Sequence, residues 1–188
     1  IMRLAGVGEE DDLYSAVIDT MKSRFSWLLI HLLSALLAAY VISLFAGTIQ
    51  ELVALAILMP IVATMGGTAS IQTLTVAVRA IAMRELTPSN AYRTIGKEIT
   101  VGVLNGLIFA SIIGFIVYAW FDSALLGVVI GLAIIVNLIV AGFVGSSLPI
   151  ILQSLGFDPA VASSAFLTSI TDIIGFYVFL GLAASLLL

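Results

Sequence analysis

The last part of the sequence carries a polar stripe that contains an acid. Ser164, Thr168 and Asp172 are four residues apart, so on a helix their side chains share one face. Asp172 is the only carboxylate inside the long apolar stretches of the chain, and no Lys or Arg lies near it in sequence. A carboxylate among hydroxyls and backbone carbonyls suits a hard cation such as Mg2+. The stripe therefore predicts a cation-binding position, and the alternative is a protonated Asp172 in a packed helix interface.

A second polar stripe lies between Pro60 and Arg79. Pro60 removes a backbone hydrogen bond, and the pair Gly66 and Gly67 allows either a bend or the close approach of another backbone. Carbonyls freed at a bend could face a cavity and bind cations. A helix-packing face of small residues would need no cavity. The polar residues that recur there at steps of four or three are Thr64, Thr68, Gln72, Thr75 and Arg79.

Apart from Arg79, which directly follows the second run, both stripes lie in long runs whose only charged residue is Asp172. A transmembrane helix needs about 20 predominantly apolar residues, and each run is long enough for one crossing. The strands of a membrane β-barrel are about 10 residues long and alternate in polarity, which these runs do not. We predict an all-α membrane protein with five transmembrane helices in residues 25–50, 52–78, 99–121, 123–157 and 159–188.

The composition excludes several classes of protein. Hydrophobic residues make up 62% of the 188 residues and charged residues only 10%, whereas soluble domains have about 25% charged residues. A soluble enzyme, a disordered chain and a nucleic-acid binder are therefore excluded. The chain has no Cys and one His, which excludes disulfides, thiolate sites and clustered imidazole ligands. An intramembrane aspartyl protease would need two carboxylates within the membrane, so we do not expect an enzyme.

The basic residues predict the orientation in the membrane. Cytoplasmic loops are enriched in Lys and Arg, so the N-terminus and the link between the second and third runs should lie in the cytoplasm. Five crossings then put the C-terminus outside the cell (inner) membrane, and the second and fifth helices run in opposite directions. All seven basic residues fall in these two places: Arg3, Lys22, Arg24, Arg79, Arg84, Arg93 and Lys97.

Residues 1–24 differ from the rest of the chain. An acidic cluster at residues 9–12 precedes a segment, residues 13–24, with Leu13, Val17 and Met21 at helical spacing. We predict an amphipathic connecting helix in the cytoplasm, followed by a pore domain over residues 25–188. The sequence begins at Ile1 without Met, so we expect it to be part of a longer chain.

Two stretches resemble the MgtE family of magnesium channels and transporters. They are PIVATMGGTASIQTLTVAVR, from Pro60 to Arg79, and the segment from Pro159 to Gly175 that ends in TDIIG. The resemblance implies a homodimer whose central pore is lined by the second and fifth helices of both subunits, with Asp172 holding a hydrated magnesium ion. From the resemblance and the two stripes together, we expect these residues to line the pore: Gly67, Thr68, Gln72, Ser164, Thr168, Thr171 and Gly175.

The resemblance has two departures and leaves two alternatives open. Thr68 and Ile71 stand where many family members have Asn. Members usually also carry an N-terminal regulatory domain and paired CBS domains, so we expect such cytosolic partners upstream. One alternative is a proton- or sodium-coupled transporter of divalent cations with Asp172 as the coupling group. The other is a structural membrane subunit, in which loss of Asp172 would leave ion flux unchanged.

Overall fold

The fold is built from α-helices. A computed structural model describes residues 16–87, 89–159 and 164–188, and no β-strand occurs within these ranges. The acidic cluster at residues 9–12 lies outside these ranges, as do residues 160–163 of the fifth predicted span. The helices, in chain order, are α1 (Val17–Ser43), α2 (Ala46–Glu51), α3 (Ala54–Ala82), α4 (Ala91–Phe121), α5 (Ala124–Ser154) and α6 (Ser164–Leu186).

Five of the six helices are long and apolar enough to cross a membrane in the part of the chain that the structure describes. These are α1, α3, α4, α5 and the stretch Phe166–Leu186 of α6. The predicted all-α membrane fold with five spans is therefore confirmed. The short helix α2 was not predicted, and it fills the link between the first two spans.

Helix α5 lies at the centre of the protein. In its apolar span 56% of the residues are buried, against 6% in α1 and 11% in α4. It packs against α3, α4 and α6, whereas α1 packs mainly on α6. The core is formed by side chains of α3, α5 and α6, among them Leu55, Leu58, Val62, Val129, Ile130, Ile134, Phe179, Leu180 and Ala183.

A tight turn joins α4 to α5. Asp122 ends α4 in the left-handed conformation at φ 51°, which Asp tolerates better than most residues. Ser123 then caps α5 by accepting a hydrogen bond from the Leu126 backbone N–H at 3.3 Å. The two helices lie so close that a Cβ at Gly127 would sit 2.6 Å from the Gly114 carbonyl oxygen. Glycine therefore sets the separation of α4 and α5.

Helix α3 is unbroken from Ala54 to Ala82, although it contains Pro60. Pro60 lies in the second turn of the helix, where the absent N–H removes the single bond to the carbonyl four residues earlier. Neither it nor the glycine pair interrupts the helix, so a break with freed carbonyls at this pair is not observed. The glycines serve packing instead: Gly66 faces Asn137 of α5, and Gly67 faces Thr168 of α6.

Helices α3 and α6 run in opposite directions, as the span count predicts. Gly67 lies against Thr168, whereas Val62, one turn earlier in α3, lies against Gly175, two turns later in α6. Contacts that run in opposite order along two helices are those of an antiparallel pair. The second and fifth spans therefore pass each other with their polar stripes at the same level.

Helix α1 begins at Val17 and continues through Arg24 into the first apolar run without a break. Residues 13–15 lie outside the described ranges. Within the described part, the predicted connecting segment and the first span form one continuous helix. A separate functional role for residues 1–24 stays a prediction.

Candidate cation-binding site

A groove between α3 and α6 brings parts of the two polar stripes together. Its volume is about 260 Å3. We call it the Asp172 groove, and its lining residues are Ala63, Thr64, Gly67, Thr68, Ile71, Thr168 and Asp172. The side chains of Thr64, Thr68 and Ile71 are exposed, so the groove opens onto an uncovered face of α3.

The floor of the groove is a close contact between Gly67 and Thr168. A Cβ at Gly67 would lie 3.1 Å from Cγ2 of Thr168, so a larger residue would push α3 and α6 apart. The Thr168 hydroxyl donates to the Ser164 carbonyl at 2.8 Å. Its proton is therefore directed into its own helix, and the lone pairs of Oγ1 stay available to accept hydrogen bonds. Water around a hydrated cation donates hydrogen bonds, so this oxygen suits such a ligand.

Asp172 supplies the carboxylate of the groove. Its side chain is half-buried, and its Oδ1 is buried without a hydrogen-bond partner among the described residues. An unpartnered buried oxygen is costly, and a bound ion or its hydration water would satisfy it. Asp172 lies about two turns into the described part of α6, about 12 Å along the helix.

Four predicted pore residues are not among those that line the groove. Ser164 lies at the first described residue of α6. Thr171 is fully buried and bonds to the carbonyls of Leu167 and Thr168 in its own helix. Gly175 is buried against Asn137, and Gln72 lies in a different crevice. The structure brings together Asp172, Thr168, Gly67 and Thr68.

Gln72 lines a small polar crevice that is bordered by α3, α4 and α5. The crevice holds about 40 Å3 and also contains Thr73, Glu98 and Asn105. The Thr73 hydroxyl donates to Oε2 of Glu98 at 3.2 Å. In the sequence, Glu98 directly precedes the third predicted span, residues 99–121. Its carboxylate takes part in a polar contact between α3 and α4.

Asn137 is a buried polar residue that the sequence analysis did not single out. It lies in the middle of α5, is 1% exposed and donates from Nδ2 to the Val62 carbonyl at 2.9 Å. Its Oδ1 is buried and unpartnered within the described ranges. An amide side chain in the middle of the most apolar helix was the available signal, because polar residues inside membrane spans are costly and usually functional.

The described residues contain no cluster of three or more acidic or imidazole side chains that could strip a metal of its water. One carboxylate, the Thr168 hydroxyl and an open face instead fit an ion that keeps most of its hydration shell. Magnesium dehydrates reluctantly and is commonly held through one or two carboxylates with several waters retained. The donor groups of the groove are therefore compatible with a hydrated divalent cation.

Comparisons with known proteins agree with this chemistry. Residues 59–182 match the family model of MgtE, described as a divalent cation transporter. The chain is 32% identical to a magnesium transporter MgtE of Bacillus subtilis over 162 residues, which is 86% of this chain and 36% of the relative. It is 33% identical to the MgtE of Enterococcus faecalis over 96% of this chain and 40% of the relative.

A third relative is the magnesium transporter MgtE of Thermus thermophilus. It is 31% identical over 100% of this chain and 42% of the relative. The chain thus spans less than half the length of the three curated relatives. The family match runs from Met59 in α3 to Leu182 in α6, so it includes every residue that lines the Asp172 groove. The chain belongs to the MgtE family of divalent cation transporters.

Proposed function

We propose that the chain forms a channel that passes hydrated Mg2+ across the cell membrane through the Asp172 groove. Residues 25–188 form the pore domain in this proposal, and residues 1–24 connect it to cytosolic regulatory domains. Asp172 binds the ion, and Thr168, Thr68 and Gly67 border its path. The relatives are magnesium transporters, which supports Mg2+ as the transported ion.

One observation carries the proposal. Oδ1 of Asp172 is buried and unpartnered within the described ranges, in a groove that is otherwise bordered by small and hydroxyl-bearing side chains. A carboxylate placed for packing would be expected to hydrogen-bond to a neighbour, because an unmet buried acceptor costs stability. A carboxylate placed for transport needs a free oxygen to meet the ion's hydration shell.

A second copy of the chain would complete the path. Thr64, Thr68 and Gln72 are exposed on α3, and in a lone subunit these polar groups would face acyl chains. A symmetric dimer buries the same patch of both subunits and would place two such faces opposite each other. Two Asp172 carboxylates would then border one enclosed path, with a stronger negative field than one alone. We therefore propose a homodimer.

The membrane potential would drive entry. We propose that the N-terminus lies in the cytoplasm, following the distribution of Lys and Arg. An inside-negative potential contributes about 2.3 kcal/mol per charge per 100 mV, hence about twice that for a divalent ion. Passive entry therefore needs no coupled ion.

The second candidate function is proton-coupled transport. It is favoured by the buried Oδ1 of Asp172, which is unpartnered within the described ranges, since a carboxylate within the membrane could carry a proton during a transport cycle. In that case proton movement would accompany each magnesium ion, and flux would respond to a pH gradient.

Flux measurements in vesicles separate these candidates. We expect vesicles that contain the chain, with an indicator dye inside, to take up Mg2+ down its gradient and faster with an inside-negative potential. Collapse of an imposed pH or sodium gradient should leave the rate unchanged once the potential is clamped. Protein-free vesicles are the control. A rate that follows the pH gradient would support the coupled transporter, and no uptake at all would refute transport by this chain.

A further inference from the structure

We propose that Asn137 is a positioning residue that sets the separation of α3 and α6 beside the Asp172 groove and thereby the concentration dependence of magnesium flux. The flux part of this inference rests on the proposed function. Asn137 lies on α5, which contributes no residue to the groove lining. It would act on the ion only through the two helices that do.

The orientation of the Asn137 amide is fixed by its partner. The Val62 carbonyl can only accept a hydrogen bond, so the atom at 2.9 Å from it must be the NH2 group. Val62 belongs to α3, so this bond ties α5 to α3 across the core. In apolar surroundings, where helix packing is otherwise driven by van der Waals contact, such a bond defines one position of α3 along α5.

Two glycines leave the space that the amide fills. A Cβ at Gly175 of α6 would lie 2.7 Å from Nδ2 of Asn137. A Cβ at Gly66 of α3 would lie 2.7 Å from Cγ of Asn137 and closer still to Nδ2. Helices α3 and α6 therefore both contact one flat amide group with their bare backbones. Its dimensions fix how near the two helices can come.

The contact lies directly behind the groove. Gly66 is the residue before Gly67, whose contact with Thr168 forms the groove floor, and Gly175 is one turn beyond Asp172. A change in the helix separation at Asn137 would therefore move Gly67 relative to Thr168 and Asp172. Since the groove is only about 260 Å3, small shifts would alter how an ion with its water fits.

The loss of stability expected from a buried amide at position 137 supports a role for Asn137 beyond packing. Asn137 leaves Oδ1 buried and unpartnered within the described ranges, while an apolar side chain of similar size would fill the site without that penalty. Its neighbours in the core are Ile134 and Leu138, which are almost fully buried. A polar group kept in this setting is explained by the fixed geometry that its hydrogen bond gives.

A double-mutant experiment tests the contact itself. We expect Gly66→Ala to lower the thermal midpoint of the full chain in detergent by about 2–4 °C or more, because the added methyl meets the amide. On an Asn137→Ala or Asn137→Ser background the same change should cost little, since the space is then free and Ala favours helix. Equal costs of Gly66→Ala on all three backgrounds would overturn the contact.

Gly145→Ala is the matched control. Its Cβ would lie 2.8 Å from the Ser70 backbone carbonyl oxygen, so its clash involves a different neighbour on α3. Shortening the Asn137 side chain should leave the loss in thermal midpoint caused by Gly145→Ala unchanged. If Asn137→Ala reduced the loss in thermal midpoint of both glycine variants, the helix bundle as a whole would have become less tightly packed. That result would overturn a specific contact between Asn137 and Gly66.

The flux readout tests positioning. We expect Asn137→Ala and Asn137→Ser to shift the apparent KM for Mg2+ in vesicles by about twofold or more, after correction for the amount of folded protein. A fall in maximal rate alone, in proportion to folded protein, would indicate a merely structural residue and overturn the proposal. If the wild-type protein passes no Mg2+, the proposed function fails. The thermal midpoints of the single and double variants still decide whether Asn137 sets the position of α3.

Discussion

Asp172→Asn is expected to reduce magnesium flux by at least about tenfold while the protein still folds and assembles. The substitution keeps the shape of the side chain and removes its charge. Hydrogen bonds that involve a charged group are worth about 1.5–3 kcal/mol, and each 1.4 kcal/mol is about tenfold in binding. In a dimer both copies lose the charge, so the effect on a shared ion would be larger. Initial rates of dye-reported uptake in vesicles measure it.

Asp122→Asn is the matched control for this result. Asp122→Asn makes the same change from a carboxylate to an amide, but in the turn between α4 and α5, away from the Asp172 groove. Its left-handed backbone at φ 51° is tolerated by Asn as well as by Asp. We expect normal flux from this variant. Normal flux from Asp172→Asn would contradict the assignment of Asp172 as the ion-binding group.

Gly142→Val is expected to prevent correct folding. A Cβ at Gly142 would lie 2.6 Å from the Glu98 backbone carbonyl oxygen, so α4 and α5 would have to separate along their contact. Overpacking in a core costs about 1–3 kcal/mol and occasionally more, and a backbone atom cannot rotate away as a side chain can. We expect a cost at or above the upper end of that range. The yield of monodisperse protein and its thermal midpoint in detergent would report it.

Gly96→Val provides the comparison on α4. Gly96 is exposed, and a Cβ there would meet nothing within 4 Å. Because Val has a higher helix propensity than Gly, this variant should be as stable as wild type or slightly more so. If Gly142→Val behaved like Gly96→Val, the close approach of α4 and α5 would be refuted.

The number of spans was predictable because the hydrophobic requirement of the bilayer is strong and continuous along the chain. The helix ends were not. Helix α4 begins at Ala91 rather than near Ile99, and α1 joins the first apolar run to part of the segment that was predicted as a separate helix over residues 13–24. Charge-free runs mark the hydrocarbon part of a span, whereas the helix itself continues into the interface, where Lys and Arg extend their charged ends to water.

The two stripes were predictable only in part because steps of four do not return to the same face. Each residue turns a helix by about 100°, so a step of four drifts by about 40° and two steps by about 80°. Thr64 and Thr68 therefore stay in the groove, while Gln72 turns towards α4. In α6, Thr171 is rotated by about 100° from Asp172 and faces the interior.

The partners of Asn137 were not predictable from the sequence. Nothing in its neighbourhood along the chain connects it with Gly66 or Gly175, which lie on other helices. Only the packing of α3, α5 and α6 shows that the amide occupies the space beside both glycines. From the sequence, a bend in the helix and a close helix contact were equally good interpretations of the glycine pair. In the structure, the two glycines make close helix contacts.

The most direct test of the account is water access to the Asp172 groove in the reconstituted protein. The chain has no Cys, so Thr68→Cys introduces a unique thiol at the groove, and Ile108→Cys introduces one on α4, at a 57% exposed position that we expect to face lipid. We predict that a charged, water-soluble thiol reagent modifies Thr68→Cys, that Mg2+ slows the modification, and that magnesium flux then stops, while Ile108→Cys stays unmodified. An unreactive thiol in Thr68→Cys, or full flux after its modification, would contradict an ion path through this groove.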